Sequence, residues 1–403
     1  MKKKKMMLSE SLSCSSAYSS EESETSSSAC RQRRRISSRQ VTHKSPLDKT
    51  VSKWERLQVQ HHLKIQYAST YTEQPLDLIT KVAGEVSPFS KEQDEYIKFV
   101  NKYLLFSMPL TSFHHQSKIV EDSLSTCEND IKELEERDKS WWVLKLKVFV
   151  AGIRALLEDV KDYRRNKHPC DDFCTSFVGV FADLCCLRVQ YCKQVRHVVM
   201  ENLKDIKQVT SEPDIRLFKC GLDHEFSKVM VSVVQVNSDL TYNPVIPSGK
   251  TKKRRKTFRE RSRLSGFRSE NVHSKCSTSS METIEYVDTE ELSIVVDLND
   301  RVLGQHAGEL LLDLNNKHKG DDEQHSEEEL RQKLTMTGMI VDGTRVFFTL
   351  LEMTRKHYQK LKDNEDLEED DKAIIYYSNP KDILMEPERR TLIKDFMSLN
   401  NIE

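Results

Sequence analysis

The chain has 403 residues, 37% hydrophobic and 32% charged, and its 63 basic against 64 acidic residues leave a net charge of -1. That length predicts two to three domains, and mean hydropathy of -0.63 leaves too little apolar surface for every segment to bury a core. The near-zero average rules out a uniformly cationic chain, yet the charge is segregated: bases gather at the N-terminus and over 250–268, acids over 321–329 and 363–371.

Residues 1–52 read as a disordered Ser/Arg-rich tail, nearly devoid of branched aliphatics. It carries kinase-type contexts: Ser37 follows three arginines and Ser45 precedes Pro46. A helical bundle is expected over 53–243, opening with a weakly patterned stretch from Trp54 to Tyr67. Ser90 and Gln93 have capping-box spacing, and the helix behind them ends before Pro109. Val120, Leu124, Cys127, Ile131 and Leu134 alternate steps of four and three, a heptad seam suited to a partner helix. The helical pattern runs on to Tyr163 with a break expected at Asp138–Ser140. A further helix is expected to carry Phe173, Phe177, Phe181, Leu184, Leu187, Tyr191, Val195 and Val198 on one face. Residues 214–237 fit a helix or a β-branched strand, and the helix is preferred.

Pro244 and Pro247 open a linker over 244–281, basic first and then rich in Ser and Thr. A helical C-terminal domain with minor β follows over 282–403. Its helices are expected along Leu292, Val295, Val302, His306, Leu310 and Leu314, after a capping box at Ser326–Glu329, and along Val346, Phe347, Leu350, Leu351, Thr354, Tyr358 and Leu361. A last helix spans about Glu386 to Leu399 with Pro387 in its first turn. Thr283–Val287 and Ala373–Tyr377 are β-like and could form a two-stranded element. The fold expected is therefore mainly α: two helical-bundle blocks joined by a basic disordered linker.

The densest chemical signal is the linker's Lys250, Lys252, Lys253, Arg254, Arg255, Lys256, Arg259, Arg261 and Arg263. Extended cationic side chains after prolines suit the acidic pockets of a nuclear import receptor, and the same charges would neutralise DNA or RNA phosphates. Ser262 lies among them as a further phosphorylation candidate. Only Phe258 and Phe267 interleave, so base stacking has little platform. The acidic runs could fold back onto this linker if they approach within a screening length.

His168, Cys170 and Cys174 are weak metal candidates; Cys174 to Cys192 fall along one expected helix, where they cannot converge tetrahedrally. No metal or other cofactor is expected, and the remaining cysteines, with Cys185 and Cys186 adjacent, read as reduced thiols. Residues 244–251 end like a phosphate-binding loop but place Pro244 where glycine is required, and Ile294–Asp297 mimics the metal-holding strand of such enzymes. Neither a nucleophile elbow nor a zinc-protease motif occurs. The start lacks the apolar core of a secretory signal, and no apolar run approaches the roughly 20 residues that span a bilayer.

The sequence thus points to a non-enzymatic nuclear adaptor or regulatory protein, with shuttling to the cytoplasm left open. Its partners would be an import receptor, an unidentified protein and, in some settings, a second copy, with no membrane. The alternative is a nucleic-acid-binding protein that grips phosphates through the linker, and the distant third is a P-loop-like NTPase.

Overall fold

The computed structural model describes residues 45–402 except 73, 84–85, 109–116, 167–170, 193–197, 223–226, 228, 238–292 and 319–325. At its centre is a mixed sheet in the order β1-β9-β8-β7-β6-β5-β2. The strands are β1 (Ile65–Tyr67), β2 (Leu187–Tyr191), β5 (Ile215–Lys219), β6 (Met230–Asn237), β7 (Lys333–Asp342), β8 (Arg345–Thr354) and β9 (Ala373–Tyr377), with β10 (Lys381–Asp382) added to β8. β6 runs parallel to β7 and β1 parallel to β9; the other pairings are antiparallel. β3 (Val198–Leu203) and β4 (Ile206–Ser211) form a separate hairpin.

Helices cover both faces. On one lie α2 (Pro75–Ala83), α3 (Lys91–Tyr103), α4 (Ser117–Arg137), α5 (Trp141–Asn166), α6 (Asp171–Leu184) and α11 (Glu386–Ser398), around a core that includes Phe149, Phe181, Val234, Phe348 and Phe396. On the other lie α1 (Arg56–Leu63), α8 (Asp300–Lys317), α10 (Arg355–Asp363) and the β3–β4 hairpin, around Trp54, Leu63, Val233, Leu310, Leu351 and Leu361. Two short helices, α7 (Ile294–Asp297) and α9 (Glu327–Arg331), precede α8 and β7.

This three-layer α/β architecture overturns the expected pair of helical bundles. The physical reason lies in burial on two sides. β8 buries Val346, Phe347, Phe348, Leu350, Leu351 and Met353, and a strand covered on both faces shows an unbroken apolar run in place of period-two alternation. Read for periodicity, such a run passes for a helix. The stretch expected as one helix from Val346 to Leu361 is therefore a strand followed by α10, started by the Thr354 side chain, which accepts from the His357 backbone. Residues 214–237 resolve into β5 and β6, not a helix, and the face expected to run from Phe173 to Val198 ends at Leu184. Cys186 turns the chain there with φ of 60°, and β2 begins. The β-like run Ala373–Tyr377 is indeed a strand; its neighbours are β8 and β1, and Thr283–Val287 lies outside the described residues. Strands from both sides of 238–292 share the one sheet.

Local signals are where the sequence placed them. Ser90 with Gln93 and Ser326 with Glu329 form capping boxes, α4 ends at Arg137 and α5 starts at Trp141, and Pro387 sits in the first turn of α11. The heptad seam is consumed internally: Leu124, Cys127, Ile131 and Leu134 pack into the molecule's own core. Among the described residues no helix is long and apolar enough to cross a membrane.

Candidate functional site

α8 crosses between the parallel strands β6 and β7 and carries three buried ionisable groups, His306, Glu309 and Asp313. Asn299 starts it, its side chain accepting from the Val302 backbone. The helix lies so close to its neighbours that a Cβ on Gly304 would meet the backbone of Trp54 and Glu55, and one on Gly338 of β7 would lie 2.6 Å from Leu310. Glycine is what permits this approach.

Gln305, Glu309 and Asp313 recur every four residues, so they share the face of α8 that meets the sheet. Across from them, Arg216 on β5 donates through Nε and Nη2 to the two carboxylate oxygens of Asp313, at 3.0 and 3.3 Å. Gln305 Nε2 donates to Gln235 Oε1 of β6 at 2.7 Å and to Glu309 Oε1 at 2.9 Å. Next to this row, His306 Nε2 lies 2.8 Å from Thr349 Oγ1 of β8. Asp214, just before β5, accepts from the Val236 backbone at 2.8 Å.

Burial governs the electrostatics. Glu309 is 1% exposed, Asp313 0% and Arg216 7%. The Glu309 carboxyl is pushed well above its ordinary range, first by burial and next by the Asp214 charge. Burial raises Asp313 too, against the pull of Arg216. Burial alone lowers His306 to about 3, so its ring is neutral. Among the described residues, Glu309 Oε2 and His306 Nδ1 have no hydrogen-bond partner. The arrangement is a charge pair with a buried carboxyl and a neutral imidazole beside it, all shielded from water. General acid or base work needs a side chain within reach of a substrate atom, and these are closed off.

Lys250, Lys252, Lys253, Arg254, Arg255, Lys256, Arg259, Arg261, Arg263, Ser37, Ser262, His168 and Cys170 lie outside the described residues, as do Pro244 and the residues after it through Thr251. Ser45 is half-buried, and its carbonyl accepts from Gln58 Nε2 and contacts His62 Nε2. Cys174 is buried on α6. Among the described residues no group of three His, Cys, Asp or Glu side chains could hold a metal ion. Ile294–Asp297 is a helical turn capped by Ser293, not the metal-holding strand it mimics, and Asp297 accepts from the Tyr71 hydroxyl.

Sequence reading missed Arg216, Gln235, Gln305, Glu309 and Asp313. The available signal was the four-residue repeat of polar groups on α8, which the Leu310 and Leu314 stripe overshadowed. No protein-family model matches this sequence, and no curated protein matches it.

Proposed function

We propose that this chain acts by binding and not by turnover, as a nuclear adaptor or regulatory protein whose helical outer surface meets its partner and whose basic linker is its import address. The observation that carries this is the sealing of the α8 cluster, in which Arg216 and Asp313 are paired bidentately at 7% and 0% exposure. An active site needs those groups at a surface. By contrast, Leu144 and Val148 stand out from α5 at 58% and 42% exposure, beside a groove of 340 Å³ between α4 and α5. Apolar side chains clustered on an outer helical face suit partner binding.

The test has two arms. In cells, the tagged chain with Lys252, Lys253, Arg254, Arg255 and Lys256 changed to alanine is expected to move from nucleus to cytoplasm. Retention in the nucleus, also when Lys2 to Lys5 and Arg31 to Arg35 are neutralised, would sink the import assignment. In extracts, capture by the intact chain is expected to survive nuclease. Capture abolished by nuclease and steeply weakened by salt would favour phosphate contact through the linker.

A further inference from the structure

Two cysteines meet where the chain enters β2 and leaves β5. These strands are antiparallel, and the pairing ends at Leu187 with Lys219, so Cys186 and Cys220 are the next residues on the two chains. Facing positions on such a pair lie about 5 Å apart at Cα, inside the roughly 4.4–6.8 Å that a disulfide spans. Both strands stop there: Cys186 turns with φ of 60° and Gly221 with φ of 67°. A single side chain ties the two turns together. Asn400, in the short 3-10 helix Leu399–Asn401, accepts through Oδ1 from the backbone N–H groups of Cys220 and Gly221, at 3.0 and 3.3 Å. Through Nδ2 it donates to the Cys185 carbonyl at 3.4 Å. That carbonyl shares its peptide unit with the Cys186 nitrogen, so one amide group reaches from the backbone of one cysteine to that of the other.

Their surroundings give them different roles. Cys220 is half-buried and open to a small solute, whereas Cys186 is 1% exposed; both are thiols in the structure. Burial pushes both thiols up, Cys186 to about 12, and the Lys145 ammonium, held by Asp183 at 2.8 Å, pulls both back toward the thiolate. We infer that Cys186 and Cys220 are a redox-modification site that closes to a reversible disulfide when the chain meets a peroxide. Cys220, the accessible thiol, reacts as thiolate with one oxygen of hydrogen peroxide. The O–O bond breaks, Cys220 becomes a sulfenic acid, and the departing hydroxide takes up the thiol proton as water. The Cys186 sulfur then attacks the Cys220 sulfur: the S–S bond forms, the S–O bond breaks, and hydroxide leaves with the Cys186 proton as a second water. Two thiols are oxidised and one peroxide is reduced to two waters. The bond staples β2, the terminal strand of the sheet, to β5, and small-molecule thiols reopen it by exchange.

The test treats the reduced full chain with hydrogen peroxide, alkylates the remaining thiols in denaturant and maps the tryptic peptides by mass spectrometry. The expected product is a linked pair of peptides, lighter than their sum by two hydrogens, whose fragment ions place the bond between Cys186 and Cys220. It forms within one chain, so a non-reducing gel shows no dimer, and dithiothreitol removes it. Cys220→Ser and Cys186→Ser are each expected to abolish the link, and Cys185→Ser to leave it. Should Cys185→Ser fail to fold, the fragment ions of the wild-type link still separate Cys185 from Cys186. A bond between Cys185 and Cys186, or from Cys220 to another cysteine or a second chain, would overturn the pairing. So would Cys220 oxidised alone while Cys186 is recovered alkylated, or a wild-type chain that keeps both thiols.

Discussion

The two faces of the central sheet are packed by different chemistry. On the α5–α6–α11 side, aromatic rings lean on one another in a chain from Phe177 through Phe149, Phe181 and Phe396 to Phe348, with centroids 5.0 to 5.9 Å apart. On the α8 side, the row Gln305, His306, Glu309 and Asp313 is inserted into a mostly aliphatic layer that also holds Trp54 and Tyr358. Both are closed to water, but they are not equally forgiving. Apolar contacts are non-directional and degrade gradually, whereas a buried polar pair is tolerable only while both members are present. The difference teaches that burial alone does not predict how a substitution behaves; the identity of what is left behind does.

The largest expected effect follows from that asymmetry. Asp313→Ala strands the Arg216 guanidinium and is expected to cost about 3–5 kcal/mol in urea unfolding, while Arg216→Met combined with Asp313→Leu restores most of the loss. Phe181→Leu, on the other face, is expected to cost only about 1–2 kcal/mol. Equal costs for Asp313→Ala and the double variant would erase the distinction between the faces.

A second effect appears on the acid side. His306 has a folded value of about 3 against an ordinary 6.5, so the unfolded chain takes up its proton first. Its contribution is complete above 6.5 and is lost as pH falls toward 3, by about 1.4 kcal/mol per pH unit. His306→Gln is expected to flatten that limb of the stability profile measured by urea titration; an unchanged slope would mean that the ring is already charged in the fold. Glu309 and Asp313, whose values are raised, act with the opposite sign: they withdraw stability as pH rises above the ordinary carboxyl range.

What the sequence disclosed follows the reach of each interaction. Caps and helix breaks depend on residues three or four apart, and Ser90, Ser326 and the break before Trp141 were legible for that reason. The sheet was not. β6 and β8 lie between two helical layers, so Val231–Val236 and Val346–Met353 carry no alternation to announce a strand, and β1 at one edge is only three residues long. The α8 cluster was less legible still. Asp313 meets its partner 97 residues away and Gln305 meets Gln235 at a separation of 70, and no local pattern joins such pairs. The heptad seam was visible, but nothing in a single sequence distinguishes a seam that binds another molecule from one that closes on its own core, as Leu124, Cys127 and Ile131 do.

The most direct measurement is partner capture by a chain in which the buried cluster has been silenced without being broken: Arg216→Met, Asp313→Leu and Glu309→Gln together, beside Val148→Asp. If the chain works through its surface and the cluster only holds the fold, the triple variant will fold and capture its partner as the wild type does, while Val148→Asp will fold and lose it. A triple variant that folds with a wild-type thermal midpoint yet loses capture, beside a Val148→Asp chain that keeps it, would place the function in the α8 cluster and contradict this account.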